Sequence, residues 1–114
     1  MALPEIPPVL QKAFMLFCDE FAQHEKIFTA ALNAPEQMTA LLEQVRQRLH
    51  TIRGGAGFFQ LNEIVDSSKA GELLIKSLGG AAPSPEQLQE ISGHVQKVLA
   101  LGRALVAEVK GGAK

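Results

Sequence analysis

The chain has 114 residues, with 11 basic and 12 acidic side chains and a formal net charge of −1. This length suits one compact domain, predicted here over residues 1–114. The balanced charge excludes the basic footprint of a nucleic-acid binder, so no nucleic-acid partner is expected. Trp and Tyr are absent, and the mainly aliphatic apolar residues favour helices over sheets.

Cysteine usage and hydropathy indicate the compartment. The single Cys18 cannot form an internal disulfide and fits a reducing environment. No apolar run approaches the roughly 18 residues that a membrane-spanning helix needs. Residues 1–5 lack the basic segment that opens a signal peptide. A cytoplasmic protein with no membrane partner is therefore expected.

Apolar residues at spacings of three, four or seven predict a first helix that ends near Asn33. Pro7 and Pro8 suit its first turn, where a missing N–H costs nothing. Pro35 disfavours a helical conformation at the residue before it. Cys18 lies among the phenylalanines of the stripe and is interpreted as a packing residue. The stripe consists of Leu10, Phe14, Phe17, Phe21, Phe28 and Leu32.

The second predicted helix opens at Pro35, and the third runs from Leu61 or Asn62 to about Leu78. Each has one apolar face at helical spacing, which must be buried against a neighbour to be stable in water. The stripe of the second helix consists of Leu42, Val45, Leu49, Ile52, Ala56 and Phe59.

A fourth helix follows the flexible break at residues 79–83. Ser84 is a good cap, Pro85 suits the first helical position, and Gln87 stands at the capping-box position. Residues 111–114 are expected to fray. The stripe of this helix consists of Leu88, Ile91, Val95, Val98, Gly102, Leu105 and Val109. Four amphipathic helices joined by short connections predict an all-α, antiparallel four-helix bundle.

One histidine of the second helix stands on the flank of this bundle. At about 100° per residue, His50, Arg53, Gly54 and Gly57 form a second stripe, rotated about a third of a turn from the apolar one. A glycine inside a helix costs about 1 kcal/mol relative to alanine. Gly54 therefore indicates a surface cleared for a docking partner. For Gly57 a place at the helix end is an equally good explanation.

Glu72 of the third helix shares a face with apolar residues, where an unpaired carboxylate would be costly. An imidazole N–H from the adjacent helix would be a suitable partner and would fix which ring nitrogen is free. The alternative is a carboxylate at the edge of the stripe, paired with Lys69 or Lys76. The face consists of Leu61, Val65, Ser68, Glu72 and Ile75.

The remaining histidines do not suggest a second site. His24 and His94 are far from His50 in sequence and have no metal-ligand spacing, so we expect both at a helix surface or boundary. No metal or cofactor is predicted. No Walker loop or kinase signature is present, and we therefore expect a protein without an ATP site of its own, not an enzyme.

The run His-Thr-Ile-Arg-Gly-Gly-Ala-Gly-Phe-Phe at residues 50–59 resembles the phosphoacceptor motif of histidine phosphotransfer (HPt) domains. It is most similar to the version found in chemotaxis-type histidine kinases, which reads His-Ser-Ile-Lys-Gly-Gly-Ala-Gly. The close match covers about ten residues, and the helical layout extends it loosely over most of the chain. The fold that this resemblance implies is a four-helix bundle with the histidine on the second helix.

The resemblance also implies roles for single positions. His50 would carry a phosphoryl group on Nε2, and Glu72 would hydrogen-bond the other imidazole nitrogen. Arg53 stands where the family usually has a Lys near the phosphoryl oxygens. Gly54 matches the glycine that admits a receiver domain. The departures are Arg53 itself, whose planar fork differs from an ammonium, and residues 60–61, which replace a glycine-containing turn.

The function implied is that of a phosphorelay protein. It would take a phosphoryl group from a histidine kinase or a phosphorylated receiver domain and pass it to a receiver Asp, with Mg²⁺ held by the partner. The receiver would dock over His50, Arg53, Gly54 and Gly57. Arg53 and Lys69 or Lys76 would add positive charge facing its acidic pocket. One alternative is a phosphoacceptor domain cut from a chemotaxis-type kinase, although the lack of sequence after the bundle favours a stand-alone carrier. The other is a helical adaptor that binds a receiver or kinase without being phosphorylated.

Overall fold

The computed structural model describes residues 6–111, which form the predicted antiparallel four-helix bundle. Each helix packs against the next, and the fourth closes the ring against the first, so the second and fourth lie on a diagonal. Residues 1–5 and 112–114, which include most of the segment expected to fray, lie outside the described residues. The helices are α1 (Gln11–Leu32), α2 (Pro35–Phe58), α3 (Asn62–Ser77) and α4 (Pro85–Gly111).

The start of α1 differs from the prediction. The backbone N–H of Leu10 donates to the carbonyl of Pro7 at 2.8 Å, three residues back, so Pro8–Leu10 form a 3-10 turn. Leu10 has φ −103° and ψ −2°, and regular α-geometry begins only at Gln11. Pro8 disfavours the helical conformation at the residue before it, and Pro7 has ψ 143°, so the helix cannot begin earlier. The predicted end near Asn33 is confirmed.

The predicted apolar stripes meet along the bundle axis and form one core. Burying each large aliphatic or aromatic side chain contributes about 1.5–3 kcal/mol. Cys18, 3% exposed, packs inside this core as predicted. In the range 6–111, no helix is long and apolar enough to cross a membrane. The largest core residues include Phe14, Phe21, Phe28, Met38, Leu49, Ile52, Ile64, Ile91, Val95, Val98 and Leu105.

A tight turn after α2 sets the position of α3. Leu61 N–H donates to Ala56 O at 2.8 Å, and Gln60 N–H donates to Gly57 O at 3.1 Å. These two bonds form a Schellman motif, which requires a left-handed residue after the helix. That residue is Gln60, with φ +59°. Gln60 thus takes the conformation that a glycine usually supplies, and the chain turns back so that α3 packs along α2.

The connection from α3 to α4 follows the sequence prediction. Gly79 and Gly80 have positive φ angles of 57° and 88°, which allow the chain to reverse after α3. The hydroxyl of Ser84 accepts the backbone N–H of Gln87 at 3.1 Å, while the Gln87 side-chain oxygen accepts the Ser84 N–H at 2.8 Å. This reciprocal pair is the predicted capping box, and Pro85 is the first residue of α4.

The expectation that His24 lies at a helix surface or boundary is wrong. Its side chain is buried, at 8% exposure, between α1 and α2. Arg48 Nη1 lies 3.4 Å from His24 Nδ1 and can donate to it when that nitrogen is unprotonated. Burial, followed by the nearby Arg48 charge, lowers the pKa of His24 below its ordinary 6.5. His94 is half-buried, in line with the prediction.

Acidification should therefore destabilise the bundle through His24. Well above pH 6.5 the imidazole is neutral in the folded and unfolded chains alike. As the pH falls below that value, the unfolded chain binds a proton first, so the free energy of unfolding decreases until the folded pKa is passed. His24→Gln keeps an acceptor for Arg48 and removes the titration. Urea unfolding between pH 7.5 and 5 should show a smaller loss in the variant, and equal losses would contradict this role.

Candidate functional site

His50 stands in the second half of α2, on the side facing α3. The buried neighbours Leu49 and Ile52 fix the rotation of α2 in the core and leave His50 on its flank. The His50 side chain is 58% exposed. Its Nδ1 lies 2.8 Å from Oε2 of Glu72. One edge of the ring is thus held by the protein, while much of the side chain remains open to a partner.

Glu72 is a buried carboxylate, only 1% exposed, on the face of α3 that packs against α2. Besides His50, it pairs with Arg53 Nε, 3.1 Å from Oε1, and with Lys76 Nζ, 3.4 Å from Oε2. Burial raises the pKa of Glu72, but the hydrogen bonds from His50 and Lys76 and the Arg53 charge outweigh it and leave the pKa below its ordinary value. Glu72 is therefore ionised at neutral pH. The expected contact with His50 and the alternative contact with Lys76 both occur.

The contacts at His50 Nδ1 decide its tautomer. Arg53 Nη2 also approaches Nδ1, at 3.1 Å, and could donate to it only if Nδ1 carried no proton. A carboxylate can only accept, so the shorter contact to Glu72 requires a proton on Nδ1. Because the unprotonated arrangement would set the lone pair of Nδ1 against a buried negative charge, we assign the proton to Nδ1. The lone pair of the neutral ring is then on Nε2.

The flank beyond His50 is open. A Cβ built on Gly54 would meet nothing within 4 Å, and one on Gly57 would only touch Val65 at 3.9 Å. Both glycines are exposed and helical. Gly57 lies in the last turn of α2, so the alternative that it belongs to the helix end applies in the sense that it lies inside this turn and not beyond it. Phe58, one turn after Gly54, is 62% exposed. The structure thus offers a smooth strip of helix surface with an apolar side chain at its end.

The two predicted docking lysines differ in their surroundings. Lys76 contacts Glu72, whereas Lys69 is exposed on α3, and no ion pair joins it to Glu72 in the part of the chain that the structure describes. One turn before His50, Arg46 is paired with Glu43. Within residues 6–111, no group of three or more His, Cys, Asp or Glu side chains could hold a metal ion.

The comparison with known families decides the family of the chain. A family model described as the Hpt domain matches residues 13–104. The chain belongs to the Hpt-domain family. The match includes all of α2 and α3, and therefore His50 and its contacts with Glu72. No curated protein and no solved structure matched it significantly. As an Hpt domain, it has a histidine phosphotransfer role in a phosphorelay.

Two features of this Hpt domain were missed by the sequence analysis. Gly55 faces Phe17 so closely that an added Cβ would lie 2.7 Å from the ring, so this glycine serves the packing of α1 on α2. The exposed ring of Phe58 was not predicted either. The spacing held a signal in both cases, because at about 100° per residue Gly55 lies beside the stripe that ends at Phe59 and Phe58 lies on nearly the opposite face.

Proposed function

We propose that His50 of this Hpt domain accepts a phosphoryl group on Nε2 and passes it to a receiver Asp. The observation that carries the proposal is the hydrogen bond from Nδ1 to the buried Glu72, combined with the 58% exposure of the His50 side chain. That bond keeps the proton on Nδ1 and leaves the lone pair on Nε2. A partner can therefore approach an oriented nucleophile.

Each transfer is a displacement at phosphorus. The Nε2 lone pair forms the N–P bond, and the bond from phosphorus to the donor oxygen breaks, so that its electron pair leaves with ADP or with the carboxylate of a phosphorylated receiver. The ring then carries positive charge, which the Glu72 carboxylate, 2.8 Å from Nδ1, stabilises. In the second step a receiver carboxylate oxygen attacks phosphorus, and the N–P electron pair returns to Nε2.

The kinase and the receiver supply what this chain does not. The chain acts as a carrier without ATP hydrolysis of its own, and Mg²⁺ and the acidic pocket belong to the partner. Gly54 and Gly57 form the docking face, because a Cβ added at either position would meet no atom closer than 3.9 Å. Lys69 and Lys76 add positive charge on α3, which speeds the encounter with an acidic pocket more than it raises affinity.

The test is phosphorylation of the purified domain by a histidine kinase with γ-labelled ATP, followed by addition of a receiver domain. The label should be acid-labile and alkali-stable, as expected for a phosphoramidate, and should then move to the receiver. A domain that binds the kinase or receiver but never takes up label would be an adaptor, and the proposal would be wrong.

Glu72→Ala should slow phosphorylation, by about tenfold, because the imidazole loses the acceptor that keeps the proton on Nδ1. The bundle should stay folded. The polar side chains left behind at His50, Arg53 and Lys76 are 58%, 33% and 50% exposed, so water can solvate them. We therefore expect a loss of only about 1 kcal/mol. Imidazole ¹⁵N shifts and thermal melting measure the two effects. An unchanged tautomer together with an unchanged rate would leave Glu72 without a functional role.

A further inference from the structure

Arg46 lies on α2 one turn before His50, and its side chain pairs with Glu43. Its Nε donates to Oε2 of Glu43 at 3.0 Å, and its Nη2 donates to Oε1. The side chain of Glu43 is 65% exposed and that of Arg46 is 25% exposed. Water therefore screens this pair, and an exposed pair three residues apart on a helix contributes little to stability. Arg46 is held in place only loosely.

Glu43, Arg46 and His50 share one face of α2, at offsets of zero, three and seven residues. Residues four apart on a helix have Cβ atoms about 5–6 Å apart, so the long side chain of Arg46 can reach the end of the His50 ring. Side chains on a helix lean toward its N-terminus, which sets the His50 ring over the turn that contains Arg46. The same lean turns Arg46 toward Glu43, so contact with a group on His50 requires a new rotamer.

Phosphorylation of His50 would change the charge on this face. A phosphoryl group carries a charge of about −1.5 to −2 at pH 7 and three acceptor oxygens, whereas Glu43 carries one negative charge. A guanidinium binds phosphate oxygens through parallel N–H donors, as it binds a carboxylate. Two other cations near the ring already contact the buried Glu72. The pair between Arg46 and the exposed Glu43 therefore costs less to break than theirs.

We propose that Arg46 changes partner when His50 is phosphorylated: it leaves Glu43 and binds the phosphoryl oxygens on Nε2. The inference rests on the proposed function, because it needs the N–P bond at His50. Arg46 is then a phosphoryl ligand of the loaded carrier, and Glu43 holds it aside in the empty one. The exchange breaks one ion pair and forms another, and no proton or covalent bond is transferred. A partner on this face meets an unpaired Glu43 carboxylate only when the carrier is loaded.

The test loads His50 with phosphoramidate, whose P–N bond breaks with release of ammonia as Nε2 attacks, so that no kinase is needed. A ³¹P NMR titration then gives the pKa of the phosphoryl group in the wild type, Arg46→Met, Glu43→Gln and the double variant. A guanidinium beside the phosphoryl oxygens favours the dianion and lowers that pKa. Arg46→Met should therefore raise it by about half a unit, and Glu43→Gln should lower it. Once Arg46 is replaced, Glu43→Gln should have almost no effect.

Arg103→Met is the matched control. Arg103 makes the same kind of pair, with its Nε 2.8 Å from Oε2 of Glu25, but lies on α4, diagonally opposite α2. This variant should leave the phosphoryl pKa unchanged. The Nε–H resonance of Arg46 should shift on phosphorylation, and that of Arg103 should not. Circular dichroism melting should show every variant folded, because none of the four paired side chains is buried.

Two results would overturn the proposal while leaving the proposed function intact. One is a loaded domain in which Arg46→Met does not move the phosphoryl pKa. The other is an equal effect of Glu43→Gln with and without Arg46, since the two side chains would then act as independent charges. A wild-type domain that takes up no phosphoryl group on His50, from phosphoramidate or from a kinase, would refute the proposed function and this inference together.

Discussion

His50→Gln should abolish uptake of label from a histidine kinase, to the background of the assay. The amide keeps the size and polarity of the side chain but has no ring nitrogen with an available lone pair, so no N–P bond can form. Because the His50 side chain is 58% exposed, the substitution leaves the core intact, and melting should change little. The measurement is acid-labile label per mole of folded protein.

The other two histidines provide the controls. His24 is buried against Arg48 and His94 is half-buried, so neither offers a partner the exposed, carboxylate-oriented ring that His50 does. His24→Gln and His94→Gln should take up label at the normal rate. If His50→Gln still accepted label at the wild-type level, the phosphoacceptor would lie elsewhere and the proposed function of His50 would be refuted.

Gly54→Glu should block transfer to the receiver without unfolding the protein. A large side chain one turn beyond His50 would hold the receiver carboxylate away from in-line approach, and a displacement of about 1 Å can cost on the order of a hundredfold in rate. No atom lies within 4 Å of the new Cβ, and Glu is a better helix former than Gly. The free energy of unfolding should hold or rise by roughly 0.5 kcal/mol.

Gly93→Glu is the matched control for this effect. Gly93 is an exposed glycine in α4, and a Cβ there also meets no atom within 4 Å. Since α4 lies diagonally opposite α2, this substitution should produce the same small gain in stability and leave transfer unchanged. Melting, helicity and receiver transfer should be measured on both proteins. A folded Gly54→Glu domain that transfers at the normal rate would show that the receiver docks elsewhere.

The bundle could be predicted because its helices are long and strongly periodic. Spacing alone located the core stripes, and Ser84 with Gln87 located the start of α4 through a local pair of hydrogen bonds. The burial of Glu72 followed from its offset on α3. The burial of His24 was not predicted, because its polarity suggested the surface. It lies three residues after Phe21 and four before Phe28, so its spacing indicated burial.

Side-chain direction could not be predicted in the same way. Arg53 has several rotatable bonds, and the rotamer it takes depends on a carboxylate 19 positions away on another helix. Periodicity places its Cα on the flank but does not say which ring nitrogen its guanidinium approaches. The close fit of Gly55 against Phe17 depends likewise on how two helices come together. Such features require the packed structure.

The location of His50 within one continuous helix has a consequence for the order in which the partners of a phosphorelay can bind. A carrier that swung its histidine from one partner to another could be loaded and emptied at separate places. Here α2 runs unbroken from Pro35 to Phe58, and the proposed function uses one nitrogen, Nε2 of His50. On that proposal donor and acceptor must occupy the same face in turn, and each must leave before the other can arrive. An excess of empty receiver would then delay loading of the carrier, so the relative abundance of the partners sets the pace of the relay.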